Sequence, residues 1–203
     1  MRIAIVDYGM GNLRSIMGAL NALGVTDITS SSSASELASA DKIILPGVGH
    51  FAAAMRNIRD KQLDELIPKL VNEQEKPILG ICLGMQLLGQ YSSEGGATGG
   101  LELVDGAVER FELPGIKVPH VGFNQVEAPL SSRLYAGITR SPDFYFTHSY
   151  RMTASTDIGQ SICTYGEPFI ASFEQGIIAG TQFHPELSQN NGLKLIKNFL
   201  DRF

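Results

Sequence analysis

The stretch from Lys76 to Leu88 reads KPILGICLGMQLL and joins a short apolar strand pattern to a helical one. Its centre is Gly-x-Cys-x-Gly around Cys82, the cysteine counterpart of the Gly-x-Ser-x-Gly nucleophile elbow. Glycines suit such a turn because bulkier side chains on its shoulders would collide with neighbouring elements. A buried structural thiol is the commoner role of a free cysteine, but the two flanking glycines favour a nucleophile. We therefore predict that Cys82 is a nucleophile.

Composition limits the function classes that the chain can belong to. It has 203 residues, of which 43% are hydrophobic, so it can bury one sizeable core, and we expect a single domain over residues 1–203. The net charge of −5 argues against a nucleic-acid surface. Cys82 and Cys163 provide neither a disulfide framework nor metal-ligand spacing, and no apolar run approaches a membrane span in length. We expect a cytoplasmic protein without a metal and without nucleic-acid or membrane partners.

Strand and helix patterns alternate through the first 90 residues. Apolar runs predict buried strands at residues 2–6, at 42–45 and after Pro77, with a weak strand near 27–29. Apolar periodicity predicts helices at residues 13–23, 51–59 and 62–72, and Ser33 with Glu36 resembles a capping box for a short helix. This alternation predicts a parallel sheet, and the carboxyl ends of its strands are where a site is expected.

The second half of the chain has shorter strand patterns, punctuated by proline and glycine. A glycine-rich loop is predicted at residues 92–100, and Gly192–Phe203 has the periodicity of an amphipathic helix. Strand patterns occur at residues 107–111, 125–127, 144–146, 162–165, 169–173 and 177–182. The predicted architecture is α/β and flavodoxin-like. A central, mostly parallel sheet is flanked by helices, with additional antiparallel strands in the C-terminal half.

A thiol nucleophile needs a base within hydrogen-bond reach, and the base needs a group that orients it. His184 follows an apolar strand pattern and precedes Pro185 and Glu186. Proline biases the preceding residue toward an extended conformation, in which residues two apart point to the same side. Glu186 is therefore placed to hold the imidazole of His184. We predict a Cys82–His184–Glu186 triad.

Three other histidines are available, and only His148 is an alternative candidate for the base. His148 lies in an aromatic strand pattern without a nearby carboxylate, so a ligand-contacting or structural role is favoured for it. His50 and His120 are expected in loops. Cys163 is expected to be a packed structural thiol because it has no elbow around it.

Attack on an acyl carbon also requires donors for the developing oxyanion. The amide of Leu83, the first after the nucleophile, is the natural donor. The backbone of Val48 and Gly49, after the strand at residues 42–45, is the candidate for the second donor.

With the elbow and the His-Pro-Glu unit placed, the chain resembles the class I glutamine amidotransferases. More narrowly, it resembles the glutaminase subunits of imidazole glycerol phosphate synthase. The similarity spans nearly the full length. The matching blocks are Asp7–Leu13, Leu45–Gly49, Gly80–Leu88, Val118–His120, Tyr145–Tyr150 and Gln182–Glu186.

The resemblance implies a class I glutamine amidotransferase fold and hydrolysis of L-glutamine through a thioester on Cys82. It implies that His184 is general base and acid and that Glu186 orients it. It also implies that no metal or organic cofactor is used. The positions that match glutamine-contacting residues of the family are Gly49, Gln86, His148, Ser149 and Tyr150.

The resemblance further implies a partner, a (β/α)8-barrel cyclase subunit that receives the ammonia and makes imidazole glycerol phosphate and aminoimidazole ribotide in histidine biosynthesis. Glutaminase activity is expected to be low until that partner binds its ligand. The positions expected at the interface are Asn12, Pro119, His120, Phe123, Asn124 and Leu187. Two of them depart from the family pattern: Phe123 stands where tryptophan is usual, and Leu187 where a basic residue is usual.

These departures leave an alternative open, in which the chain supplies ammonia to a sugar amidotransferase in surface-glycan biosynthesis. A remoter alternative is a PfpI/DJ-1-like protein, but that group places histidine directly after the nucleophile, where this chain has Leu83. A dinucleotide-binding module is disfavoured because Gly9-x-Gly11 lacks the third glycine of the fingerprint, Arg14 standing in its place. A purely structural subunit would not need Cys82, His184 and Glu186 together.

Overall fold

A computed structural model describes residues 1–112 and 114–203 and shows a seven-stranded sheet flanked by helices. The strands are β1 (Arg2–Val6), β2 (Asp27–Ser31), β3 (Lys42–Leu45), β4 (Ile78–Ile81), β5 (Tyr91–Ser92), β6 (Thr98–Gly99), β7 (Ala107–Arg110), β8 (His120–Gln125), β9 (Asp143–His148), β10 (Tyr150–Thr153), β11 (Gln160–Tyr165), β12 (Glu167–Gln175) and β13 (Ile178–Thr181). The helices are α1 (Leu13–Ala22), α2 (Ala34–Ser39), α3 (Phe51–Asp60), α4 (Leu63–Asn72), α5 (Leu83–Leu87) and α6 (Gln189–Arg202).

The main sheet has the order β11-β12-β13-β4-β3-β1-β2. The strands from β13 to β2 run parallel, and β12 and β11 are added antiparallel at one edge. A small four-stranded sheet, β10-β7-β5-β6, and the antiparallel pair β8–β9 complete the fold. The predicted α/β architecture, with a mostly parallel sheet and added antiparallel strands, is confirmed.

Alternation along the central strands divides the core into two parts. Ile43 and Leu45 of β3 belong to the part that includes side chains of α3 and α4, such as Met55 and Ile67. Ile44 belongs to the other part, with side chains of α1 and α6. Central parallel strands are buried on both faces, which explains why they read as continuous apolar runs in the sequence.

Three local predictions need correction. The predicted loop at residues 92–100 contains strand β6 and the end of β5, which pair with each other. Strand β8 begins at His120, well before the predicted strand at residues 125–127. Among the described residues its one partner strand is β9, and every second position of β8 is exposed, so it lacks an apolar run. Ser33 occupies the N-cap position of α2, but its hydroxyl hydrogen-bonds to the Ser35 hydroxyl and not to a backbone amide of the helix.

The elbow between β4 and α5 has the strained geometry that the motif predicts. Cys82 has φ 55° and ψ −112°, outside the conformations that a non-glycine residue prefers. A Cβ on Gly84 would overlap the carbonyl oxygen of Leu45, and one on Gly80 would lie 2.7 Å from the backbone of Met85. The two glycines therefore let α5 pack directly against β3 and β4, which keeps Cys82 at the tip.

Candidate active site

Cys82 lies in a cavity of about 290 Å³ at the carboxyl end of the central parallel strands. The turns that follow β3, β4 and β13 converge there because these three strands are neighbours in the sheet. The residues that line the cavity are Val48, Gly49, Cys82, Leu83, Gln86, Glu94, Pro119, Thr147, His148, Ser149, Tyr150 and His184. It therefore contains two members of the predicted triad, all the predicted oxyanion residues and all the predicted glutamine contacts.

His184 is held by the carboxylate of Glu186. Its Nδ1 lies 2.8 Å from Oε1 of Glu186, and both side chains are buried. His184 is extended, as expected before a proline, but a 3₁₀ turn at Pro185–Leu187 carries the carboxylate to the ring. The predicted extended His-Pro-Glu segment is thus correct only for its first residue.

The electrostatics of His184 favour an imidazolium. Burial lowers the pKa of His184, but hydrogen bonding to Cys82 and Glu186 and the charges of both groups raise it, to about 10 overall. Nε2 is buried and makes no hydrogen bond of standard geometry to any described residue. An imidazolium beside a thiolate is the arrangement that an activated cysteine needs.

Gln86 has one fixed orientation in the wall of the cavity. Its Nε2 donates to the backbone carbonyl of Tyr150 at 3.0 Å and to Oε1 of Gln182 at 2.9 Å. Both contacts join residues that are far apart in sequence and that lie on different elements. Gln182, which we did not single out from the sequence, is fully buried between β13 and His184.

His148 and His120 form a buried pair. Nδ1 of His148 donates to the Tyr150 carbonyl at 2.8 Å, and Nε2 of His148 lies 3.1 Å from Nδ1 of His120. Burial lowers the pKa of His148 to about 3 and that of His120 to about 4, so both rings are neutral. Both ring nitrogens of His148 are thus engaged, and the alternative of His148 as the base does not fit this geometry.

The prediction that His120 lies in a loop is wrong. Its ring is buried between Phe146 and Tyr165, with ring centroids 4.9 and 4.0 Å away. These aromatic contacts draw the ring inward, so His120 does not reach the surface on which a partner contact was expected. It lies behind that surface instead.

The predicted oxyanion residues line the cavity beside Cys82, and the segment after β3 packs at Gly47 against the start of α5. Gly49 has φ +102°, a conformation that favours glycine, and Val48 is exposed at the rim. The segment is anchored at Pro46, whose carbonyl accepts a 2.8 Å hydrogen bond from the buried hydroxyl of Tyr8. Burial, and secondarily the charge of Cys82, raises the pKa of Tyr8, which keeps this donor protonated.

Glu94 is a site residue that sequence reasoning missed. It is the one carboxylate among the described residues that line the cavity, and its Oε2 accepts a 2.7 Å hydrogen bond from the amide of Phe51. The only signal was an acidic residue inside a glycine-rich segment, which did not distinguish it from a loop residue.

The other residues predicted at a partner interface lie on the surface. Asn12 and Pro119 are exposed, and Asn124 is half-buried. Phe123 is 50% exposed and packs edge-on against Tyr145, with ring centroids 5.6 Å apart. Four apolar side chains are between 40% and 56% exposed on and beside this part of the molecule, namely Val48, Val121, Phe123 and Leu187.

The sequence profile of the class I glutamine amidotransferase family matches residues 4–203. The chain belongs to this family. Among relatives, the imidazole glycerol phosphate synthase subunit HisH of Moorella thermoacetica is 46% identical, over 97% of this chain and 93% of its own length. Subunit HisH 1 of Campylobacter jejuni is 42% identical over 97% and 98%, and HisH of Aquifex aeolicus is 42% identical over 98% and 96%.

Solved structures share the fold of this amidotransferase. A crystal structure of a glutamine amidotransferase has a TM-score of 0.74 at 19% identity and covers 98% of this chain and 97% of that chain. PurLQS from Thermotoga maritima has a TM-score of 0.70 at 20% identity, with 98% and 97% covered. The predicted class I amidotransferase fold and enzyme class are confirmed, as is the resemblance to the imidazole glycerol phosphate synthase subunits. Among the described residues, no helix is both long enough and apolar enough to cross a membrane.

Proposed function

We propose that this amidotransferase is the glutaminase subunit of an imidazole glycerol phosphate synthase, acting as one domain over residues 1–203. Relatives at 42–46% identity are named as the HisH subunit of that synthase, which supports the assignment. The observation that carries the chemistry is Cys82, strained at the tip of the elbow, in one cavity with His184, whose ring is held by the buried carboxylate of Glu186.

The reaction starts from the Cys82 thiolate and the His184 imidazolium. The sulfur adds to the side-chain amide carbon of glutamine, and the carbon–nitrogen bond breaks as His184 gives its proton to the leaving nitrogen. Ammonia departs and a glutamyl thioester remains. Water then gives a proton to His184 and adds to the thioester, and the carbon–sulfur bond breaks. Glutamate leaves, the thiolate and imidazolium are restored, and Glu186 keeps the ring oriented throughout.

The amide of Leu83 and the backbone of Val48 and Gly49 bind the oxyanion of each tetrahedral intermediate. Their role is supported by their positions beside Cys82 in the lining of the cavity, where the segment after β3 packs against the start of α5. No step needs a metal or an organic cofactor, because the nucleophile, the acid–base group and the oxyanion donors are all protein groups.

The glutamine substrate is recognised by the remaining wall of the cavity. Its α-ammonium group needs an anionic partner, and Glu94 is the carboxylate present in the described lining. Contacts to the rest of the molecule come from Gly49, Gln86, His148, Ser149 and Tyr150. His148 contributes as a neutral ring, since burial lowers its pKa to about 3.

The ammonia acceptor is a (β/α)8-barrel cyclase subunit in the cytoplasm, which uses ammonia to convert a phosphoribulosyl formimino precursor into imidazole glycerol phosphate and an aminoimidazole ribotide. The exposed apolar side chains Val48, Val121, Phe123 and Leu187 support a docking surface beside the cavity. Asn12, Pro119 and Asn124 complete this surface, and His120 supports it from behind. A sugar amidotransferase is the second candidate acceptor, because the apolar Leu187 offers no charge to pair with a barrel acid.

The test is glutamate release from glutamine by the isolated chain and by the chain with the histidine-pathway cyclase and its ligand. Stimulation by the ligand-loaded cyclase, abolished in Cys82→Ser, is the expected result. If a glutamine-analogue electrophile labels Cys82 but the ligand-loaded cyclase does not stimulate glutamate release, the histidine-pathway assignment is overturned and the other acceptor is favoured. Failure of both labelling and glutamate release would overturn the glutaminase assignment itself.

A further inference from the structure

We propose that Gln182 is a further catalytic residue, whose side-chain amide donates a hydrogen bond to the sulfur of Cys82 and stabilises its thiolate. The proposal rests on the proposed function only in taking Cys82 as the nucleophile. Nε2 of Gln182 lies 3.9 Å from Sγ of Cys82, within the range of hydrogen bonds to sulfur. Gln182 is fully buried, so water does not compete for this contact.

The direction of the amide is fixed by a chain of contacts that begins at a backbone carbonyl. The Tyr150 carbonyl can only accept, so Gln86 must present its NH₂ group to it, at 3.0 Å. The second hydrogen of that NH₂ group points to Gln182, 2.9 Å away, which must therefore present its oxygen. The NH₂ group of Gln182 is thus left on the side of Cys82. Reversing Gln86 would place its oxygen against the Tyr150 carbonyl, and reversing Gln182 alone would place its NH₂ group against that of Gln86.

The Tyr150 carbonyl is itself held from a second side. Nδ1–H of His148 donates to it, so Nε2 of His148 must accept, and His120 donates to that nitrogen through Nδ1. Nε2 of His120 then accepts from the Asn124 amide, which also donates to the Thr164 carbonyl at 3.1 Å. Each donor in this series has an acceptor. The carbonyl that orients Gln86 is therefore anchored to β8 and β11.

The two polar neighbours of the sulfur have opposite effects on its protonation. The Thr147 carbonyl, 3.9 Å from Sγ, can accept from a thiol but repels a thiolate. The Gln182 amide can donate to a thiolate, and this hydrogen bond becomes stronger when the sulfur is charged. The sulfur is charged before attack and again when it leaves the thioester, and it is neutral in between. Gln182 therefore stabilises the sulfur at the start and at the end of the covalent cycle.

The decisive substitution is Gln182→Glu, which keeps an oxygen for the Gln86 amide but replaces the donor to sulfur by an acceptor. The readout is the rate of Cys82 alkylation by iodoacetamide, measured from pH 6 to 10 without glutamine, with Cys82→Ser as the blank. We expect alkylation at pH 7 to slow by about tenfold or more, and rates to converge with those of the wild type at high pH, where all of the thiol is ionised. Gln182→Met, which carries neither donor nor charge, should slow it by about three- to tenfold at pH 7.

The matched control is Asn198→Asp, which also changes a buried amide to an acid. Asn198 donates to the carbonyls of Leu134 and Ala136, outside the cavity. We expect this variant to lose thermal stability while its alkylation profile follows that of the wild type. Wild-type alkylation rates at pH 7 in folded Gln182→Glu, or in Gln182→Met if the charged variant does not fold, would overturn the proposal. Because no glutamine is used, this outcome is separate from any failure of glutaminase activity.

Discussion

The buried pair His120–His148 makes the free energy of unfolding depend on pH in a way that one substitution can isolate. His120→Phe keeps an aromatic ring between Phe146 and Tyr165, which lie 4.9 and 4.0 Å from it by ring centroid. It removes one group that is neutral in the folded chain and that binds a proton in the unfolded chain. The hydrogen bond to His148 is also lost, but that cost is similar at every pH above the folded pKa values.

The magnitude follows from the direction of the pKa shifts. Burial lowers the pKa of His120 to about 4 and that of His148 to about 3, against 6.5 for an unperturbed histidine. As the pH falls from 6.5 to 5, the unfolded chain binds a proton at each histidine while the folded chain does not, so stability is lost. One pKa unit corresponds to about 1.4 kcal/mol, so 1.5 units cost about 2 kcal/mol for each histidine. The result holds for any folded pKa well below 5.

The assay is urea unfolding at pH 7 and pH 5, with Tyr165→Phe as the matched control. That control removes the hydrogen bond from Tyr165 to the Lys117 carbonyl in the same aromatic cluster but no group that titrates in this range. From pH 7 to pH 5, we expect the free energy of unfolding of His120→Phe to fall by about 2 kcal/mol less than that of the wild type. That of Tyr165→Phe should fall by as much as that of the wild type. His184 makes the free energy of unfolding change with pH in the opposite direction, because its pKa is raised on folding: its contribution is present below pH 6.5 and is lost toward pH 10. This contribution is the same in all three proteins. Equal losses in wild type and His120→Phe would refute the reasoning.

Two further substitutions test the site. Glu186→Gln removes the carboxylate charge that helps to raise the pKa of His184, so kcat for glutamine hydrolysis should fall about 10²- to 10⁴-fold with little change in KM; a kcat within about threefold of wild type would contradict the triad. Glu94→Gln keeps an acceptor for the Phe51 amide but removes the charge opposite the substrate ammonium, so KM should rise about tenfold at unchanged kcat. If Glu94 serves only to hold the start of α3, KM stays at the wild-type value in steady-state glutamate release.

The parts of the fold that were predictable are those in which local sequence carries the physical cause. Strands β3 and β4 are buried on both faces, and therefore read as apolar runs. The elbow was predictable because Gly80 and Gly84 are required by close backbone contacts around it. Strand β8 was not, because it pairs with β9 outside the main sheet and exposes every second residue.

The triad contact could be predicted from local sequence, whereas the contacts of Gln86 could not. His184 and Glu186 are two residues apart, and their contact follows from local geometry, although a 3₁₀ turn forms it. The contacts of Gln86 with Tyr150 and Gln182 cross 64 and 96 residues of sequence. The contact with Gln182 exists because β13 lies next to β4 in the sheet, an order that no local pattern encodes.

This difference explains why residue types alone misassigned His120. A histidine beside Pro119 reads as a polar loop residue, since nothing local shows that three aromatic side chains and His148 surround it. Once buried, the ring can remain only as a neutral group with both nitrogens engaged, because an unpaired or charged imidazole there would cost several kcal/mol. The Tyr150 carbonyl, which can only accept, orients both His148 and Gln86, and Gln86 in turn sets the direction of Gln182. A residue expected to contact a partner thus anchors, through His148, the carbonyl that determines which group faces the nucleophile.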